Sequence, residues 1–229
     1  MLTRSLLELL LAALAFVGSH LGLSSRALRP RLVARLGERR FLMAYSLLAA
    51  LTLGWLILSY ARAPLYVLWP TAAWNRWLAL ALMPVALVLL AGSVLQRNPT
   101  ALGGDPRRLP SDSLGITAIT RHPMMWAFAL WASVHLLSNG DIASLIFFGA
   151  FLVLSLGGTR AIDAKLRRRD PAGFAQLATR TSNLLLAALL AGRARLSPRR
   201  LWPALATGLA LYLLLLLAHP YLFGVSALG

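Results

Sequence analysis

Four imidazoles are the side chains of this sequence best suited to chemistry. His20, His122, His135 and His219 all lie within or at the edge of apolar stretches. An ionisable group in that setting is expensive and is a candidate for function by default. Imidazole exchanges protons near neutral pH and ligates transition metals. The chain holds no cysteine. That excludes disulfides and thiolate ligands, and leaves histidine and methionine as protein ligands for a haem iron. For a single histidine, a neutral ring bonded to a neighbouring helix is the ordinary role. Four of them in a chain this poor in polar groups shift the balance towards function.

Two of the four share the stretch Gly115–Asp141. His122 and His135 are 13 residues apart, about 20 Å of helical rise, so they cannot ligate one iron from opposite sides of a flat ring. Met124, Phe128 and Trp131 continue a stripe towards His135. A porphyrin would pack on such a face, and ordinary helix packing produces the same pattern. His122 precedes Pro123, which disfavours helix at His122 and favours a helix start just after it. Arg121-His122-Pro123 therefore reads as a helix entry that meets headgroups at a basic membrane surface. His219-Pro220 has a similar boundary character and reads as structural.

These residues must be positioned by membrane helices. Of the 229 residues, 59% are hydrophobic and only 13% charged, too few charges to cover a water-soluble surface. Six segments are long or apolar enough to cross the roughly 30 Å hydrocarbon layer: Leu2–Leu23, Phe41–Tyr60, Trp77–Leu95, Ile116–Ser138, Ile142–Gly157 and Leu201–Phe223. The expected fold is all-α, one polytopic domain over residues 1–229, a bundle of about six transmembrane helices. The eight-residue run Leu184–Ala191 is too short to span and is expected as one interfacial helix. Pro84 should kink the third segment. The N-terminus has a signal-peptide-like basic start, but its apolar run carries Glu8 and shows no convincing cleavage site, so it reads as a retained first helix.

The net charge of +16 follows from topology. The loops Ser24–Arg40, Gln96–Arg121 and Gly158–Arg200 hold 20 of the 23 basic residues. The positive-inside rule places these three loops in the cytoplasm and both termini outside it. A bacterial inner membrane with anionic headgroups at the basic loops explains the charge without nucleic acid. No nucleotide-binding loop or zinc-protease motif is present, so those classes have no support.

Ser19-His20-Leu21-Gly22, Arg29-Pro30, Gly37-Glu38-Arg39, Tyr45-Ser46, Ala63-Pro64, Leu68-Trp69, Arg121-His122-Pro123-Met124, Trp131 with His135, Lys165–Arg169, Arg180-Thr181-Ser182-Asn183, Gly192-Arg193 and His219-Pro220 together resemble the NnrU family. Its members are associated with bacterial denitrification, and it includes the 15-cis-zeta-carotene isomerase of plants and cyanobacteria. For the isomerase branch the resemblance implies a haem b with two axial histidines, at positions matching His20 and His135. A cysteine three residues before the second ligand in that branch is Ala132 here. The resemblance further implies a redox- or nitric-oxide-linked task, or isomerisation of a lipophilic polyene. Helical rise alone separates His20 and His135 by about 10 Å in depth, and on depth His122 is the better match for His20. It stands as the rival ligand. Two other readings remain open: a non-catalytic membrane factor supporting denitrification enzymes, and a relative of isoprenylcysteine-type membrane methyltransferases using Arg121 and His122.

Overall fold

The computed structural model describes residues 3–101, 104–109 and 113–228. The expected start of the first span at Leu2, and residues 102–103 and 110–112 of the expected loop Gln96–Arg121, lie outside the described residues. The chain is 74% helical with no strands among those residues. In order, the helices are α1 (Arg4–Leu23), α2 (Leu28–Leu36), α3 (Glu38–Ala61), α4 (Ala73–Leu95), α5 (Pro123–Asn139), α6 (Ile142–Arg169), α7 (Pro171–Arg180), α8 (Ala187–Leu190) and α9 (Pro198–Phe223). Local chemistry sets their starts. The Thr3, Asp141 and Ser197 side chains accept from the N–H groups of Leu6, Ser144 and Arg200, which supplies three helices with an N-cap. Proline opens α5, α7 and α9, where its missing N–H removes no helical bond.

Five helices, α1, α3, α4, α6 and α9, are long and apolar enough to cross a membrane. The sixth expected span, α5, has 17 residues, about 25 Å of rise and near the shortest helix that spans. The expected segment began at Ile116, yet residues 116–118 form a single 3-10 turn and α5 starts only after His122. The proline at 123 explains the delay.

The helices stand in a row. α1 packs between α3 and α6, α5 between α6 and α4, and α9 flanks α4 at the far end. The two end helices turn most of their apolar surface outward. Leu47, Leu51, Leu214 and Leu217 are each more than 60% exposed, as lipid-facing positions must be. Where α4 and α9 cross, a Cβ on Gly208 would collide with the Val88 backbone, so the small residue permits close approach. Pro84 sits inside a continuous α4. Its missing N–H leaves the Leu80 carbonyl four residues back without a helical donor, and the Tyr212 hydroxyl of α9 donates to that carbonyl at 3.3 Å.

The three basic loops meet at one end of the bundle. Arg107 bonds Asp170 through Nε and Nη2, each at 2.7 Å, Leu114 bonds the Arg195 carbonyl at 2.8 Å, and Lys165 of α6 lies within electrostatic range of Arg29 and Glu38. The α3–α4 and α5–α6 connections and the C-terminal tail gather at the other end. The expected interfacial helix over Leu184–Ala191 reduces to one turn, Ala187–Leu190. Leu186 takes a left-handed conformation at φ 60, and its N–H bonds the Ile119 carbonyl. That tertiary bond bends the run under the bundle, while Leu184 and Leu190 stay exposed. The short amphipathic helices at this end are instead α2 and α7.

Candidate functional site

His135 lies on the last turn but one of α5, whose end is clamped by the α3–α4 connection. The final carbonyls of a helix have no partner within it. Here Trp69 Nε1 and Asn75 Nδ2 donate to the Leu137 carbonyl at 3.0 and 3.1 Å, and Thr71 Oγ1 donates to Ser138 O at 2.8 Å. The Gly140 carbonyl accepts from the N–H groups of Leu68 and Trp69. Gly140 itself is left-handed, with φ 66, and a Cβ there would strike the Trp69 carbonyl. Asp141 then caps α6. The run Asn139-Gly140-Asp141 is thus one stop and one start in three residues.

Above this clamp the His135 ring stacks on Phe148 of α6 at 5.0 Å and contacts Trp131 at 5.3 Å. Its Nδ1 donates to the Trp131 carbonyl at 2.8 Å. The bond holds the proton on Nδ1 and leaves Nε2 as the lone-pair nitrogen, the arrangement found in metal-ligating histidines. His135 also lines a cleft of about 290 Å³ between α4, α5 and α9. Leu80, Met83 and Leu216 make its apolar part, and Arg76, His135 and His219 its polar part. Its size is near the lower end for small-molecule sites, roughly 300–1,000 Å³. α5 and α9 both pack on α4 and hardly touch each other, so the edge of a larger flat ligand has room in the gap between them.

The structure does not bring His20 against His135. His20 Nδ1 donates to the Phe16 carbonyl at 2.7 Å, the same tautomer-fixing bond. The two imidazoles, however, are linked only through a row of rings: Phe16 is 4.5 Å from His20, Phe151 is 5.1 Å from Phe16, and Trp131 is 5.1 Å from Phe151. α1 and α5 each pack on α6 and hardly on one another. Phe128 and Trp131 pack against Phe151 and, for Trp131, Phe148. The aromatic stripe therefore serves the α5–α6 interface. Met124 is half-buried in the first turn of α5.

His122 starts α5 as expected, but it does not meet headgroups. It is buried, and its Nε2 donates to Asp163 Oδ1 at 2.8 Å. Asp163 also receives a bidentate grip from Arg121: Nη2 to Oδ2 at 2.6 Å, and Nε to Oδ1 at 2.9 Å. Arg121 further bonds the Thr181 carbonyl and lies over Phe174 at 5.5 Å. Thr120 and Trp126 bond the Asn183 carbonyl at 2.8 and 2.6 Å. Asp163 stands on the charged last turns of α6, beyond the apolar stretch Ile142–Gly157. Burial pushes its carboxyl up, but the hydrogen bonds from His122 and Arg121 outweigh this and hold it below its ordinary value. The cluster ties three chain segments together at the basic end. Sequence reasoning missed Asp163, Thr181 and Asn183. Asp163 is the only carboxylate in α6, and its isolation among cations was the available signal.

The model of one family, described as NnrU protein, matches residues 8–227. The chain belongs to the NnrU family. No curated protein and no solved structure is similar enough to count as a match. Membership of the NnrU family together with several spanning helices makes this an integral membrane protein.

Proposed function

We propose that this member of the NnrU family binds a haem b within the membrane, at the α4–α5–α9 cleft, where His135 would hold the iron through Nε2. One observation carries the reading: the His135 imidazole lines that cleft with its Nδ1 already bonded to the Trp131 carbonyl, the donor state that iron ligation through Nε2 needs. When bound, the haem would supply one-electron or diatomic-ligand chemistry. The protein's own residues fix the ring. Trp69, Thr71 and Asn75 anchor the end of α5, and Phe148 holds the imidazole plane. Arg76 on the cleft wall offers a cation for carboxylates.

The task such a group serves is a redox- or nitric-oxide-linked step associated with denitrification, or isomerisation of a lipophilic polyene. The membrane is the bacterial inner membrane, with the three basic loops in the cytoplasm against anionic headgroups and both termini outside. Support comes from the gathering of those loops at one end of the bundle. The methyltransferase reading is weaker, because Arg121 and His122 are engaged with Asp163.

Titration of detergent-purified protein with haemin tests the proposal. A saturable 1:1 Soret change that His135→Ala weakens at least tenfold is expected. A wild-type titration without saturation, or equal affinity in the variant, would overturn it.

A further inference from the structure

We propose that the basic end of the bundle holds a discrete site for the phosphate headgroup of one anionic phospholipid, at the seam between α4 and α9. The inference goes beyond the haem reading and does not depend on it. A cavity of about 650 Å³ opens there, and Arg97, Arg108 and Arg200 line it. No carboxylate is among the described residues of its lining. Arg108 pairs with Asp105 at 3.1 Å, an exposed pair that solvent screens. The Arg97 side chain has no hydrogen bond or ion pair among the described residues. Guanidinium groups gathered around one cavity repel one another, and an anion seated between them relieves that repulsion.

Gln96 builds the wall of the cavity. It follows the last residue of α4, and its side chain bridges two other segments. Its Oε1 accepts from the Ile116 N–H at 2.8 Å, and its Nε2 donates to the Arg200 carbonyl at 2.9 Å. A Cβ on Gly115 would strike that Oε1, so glycine is what lets the bridge form. The Ser197 N–H bonds the Leu114 carbonyl at 2.8 Å, which fixes the start of α9 against the same loop. Thr117 stands beside this wall. It is only 5% exposed and lines the cavity, yet its hydroxyl bonds no described residue. A buried hydroxyl without a partner is costly, and a phosphate oxygen in the cavity would accept its proton. The fixed wall and the waiting hydroxyl make a preformed site, where a merely basic face would offer only diffuse attraction.

The surroundings favour a lipid over a water-borne phosphate. Val94 and Leu95, just before Gln96, are 70% and 53% exposed, and Trp202, two residues after Arg200, is 67% exposed. An exposed tryptophan near the end of a spanning helix marks the membrane interface. The cavity therefore lies where the lipid-facing surfaces of α4 and α9 run out, which is headgroup depth. A phosphate held by the arginines leaves its acyl chains to run along Val94, Leu95 and Trp202. Basic pockets between spanning helices are recurrent sites for anionic headgroups, and the guanidinium fork matches the geometry of phosphate oxygens.

The test uses the delipidated full chain in detergent. Phosphatidylglycerol, phosphatidylcholine and inorganic phosphate are added separately, and binding is read by native mass spectrometry and by the thermal midpoint. One phosphatidylglycerol is expected to bind saturably and to raise the midpoint, while phosphatidylcholine does neither. Arg97→Gln/Arg108→Gln should weaken phosphatidylglycerol about tenfold or more, the scale of hydrogen bonds to a charged group. Arg31→Gln/Arg35→Gln on α2 removes the same charge from the same end of the bundle and should leave the affinity unchanged. Thr117→Val keeps the shape, removes the hydroxyl and should weaken binding about tenfold, while Thr117→Ser retains it. Equal losses in the two double variants, or uptake of phosphatidylglycerol without saturation, would overturn the site. Saturation by inorganic phosphate with no 1:1 lipid would overturn the lipid as its occupant.

Discussion

Removing the Asp163 carboxylate tests the latch at the basic end. In Asp163→Ala, Arg121 loses its bidentate partner and His122 loses its one side-chain acceptor among the described residues. The side chains of Arg121 and Asp163 are each only 11% exposed, so solvent screens the pair weakly. Taking one partner from a buried pair costs roughly 3–5 kcal/mol, because the other charge stays buried and unpaired. The lower end applies here, since Arg121 keeps the Thr181 carbonyl and the Phe174 face. About 3 kcal/mol corresponds to a fall of about 6–12 °C in the thermal midpoint for a chain of this size, measured by tryptophan fluorescence in detergent. The double variant Arg121→Ala/Asp163→Ala should fall less than the sum of the two single variants. The pH dependence follows from the sign of the shift. Asp163 has a lowered carboxyl pKa in the folded protein, so its contribution is present in full above the ordinary carboxylate value. It is lost as pH falls through the folded value. Wild type should therefore lose stability on acidification more steeply than Asp163→Ala. Equal midpoints for wild type and Asp163→Ala at neutral pH, or parallel acid profiles, would refute the latch.

Two further predictions concern the cleft. Gly140→Ala puts a side chain on a left-handed residue and against the Trp69 carbonyl. It should cost at least 1–3 kcal/mol, roughly the range for backbone strain, and loosen the α5 terminus, seen as faster proteolysis between α3 and α4. Tyr212→Phe strips the Leu80 carbonyl of its donor and should cost about 1–3 kcal/mol, the usual range for an unsatisfied buried group. The same thermal assay checks it, and no change would mean that Pro84 needs no compensation.

Much of this architecture was legible from residue order. The apolar runs marked the spanning helices because hydrocarbon demands length and internal hydrogen bonding, and the arginine-rich loops do gather at one end. What escaped was tertiary. The Leu184–Ala191 run looks helical by itself, and only the bond from Leu186 to Ile119 reveals that it turns. Asp163 lies 42 residues from Arg121, too far for local spacing to join them. His219 read as a helix boundary because its partner, the Val225 carbonyl, exists only after Gly224 reverses the chain. The row of rings from Phe16 through Phe151 to Trp131, between α1 and α5, has no sequence-local signature.

The most direct test of the central claim is a haem count on the protein as cells make it. The chain should be expressed with added haem precursor, purified in detergent and assayed as the pyridine haemochrome beside His135→Ala. The account predicts about one haem b per wild-type chain and almost none in the variant. A folded wild-type protein that emerges colourless, or a variant that retains full haem, would contradict it.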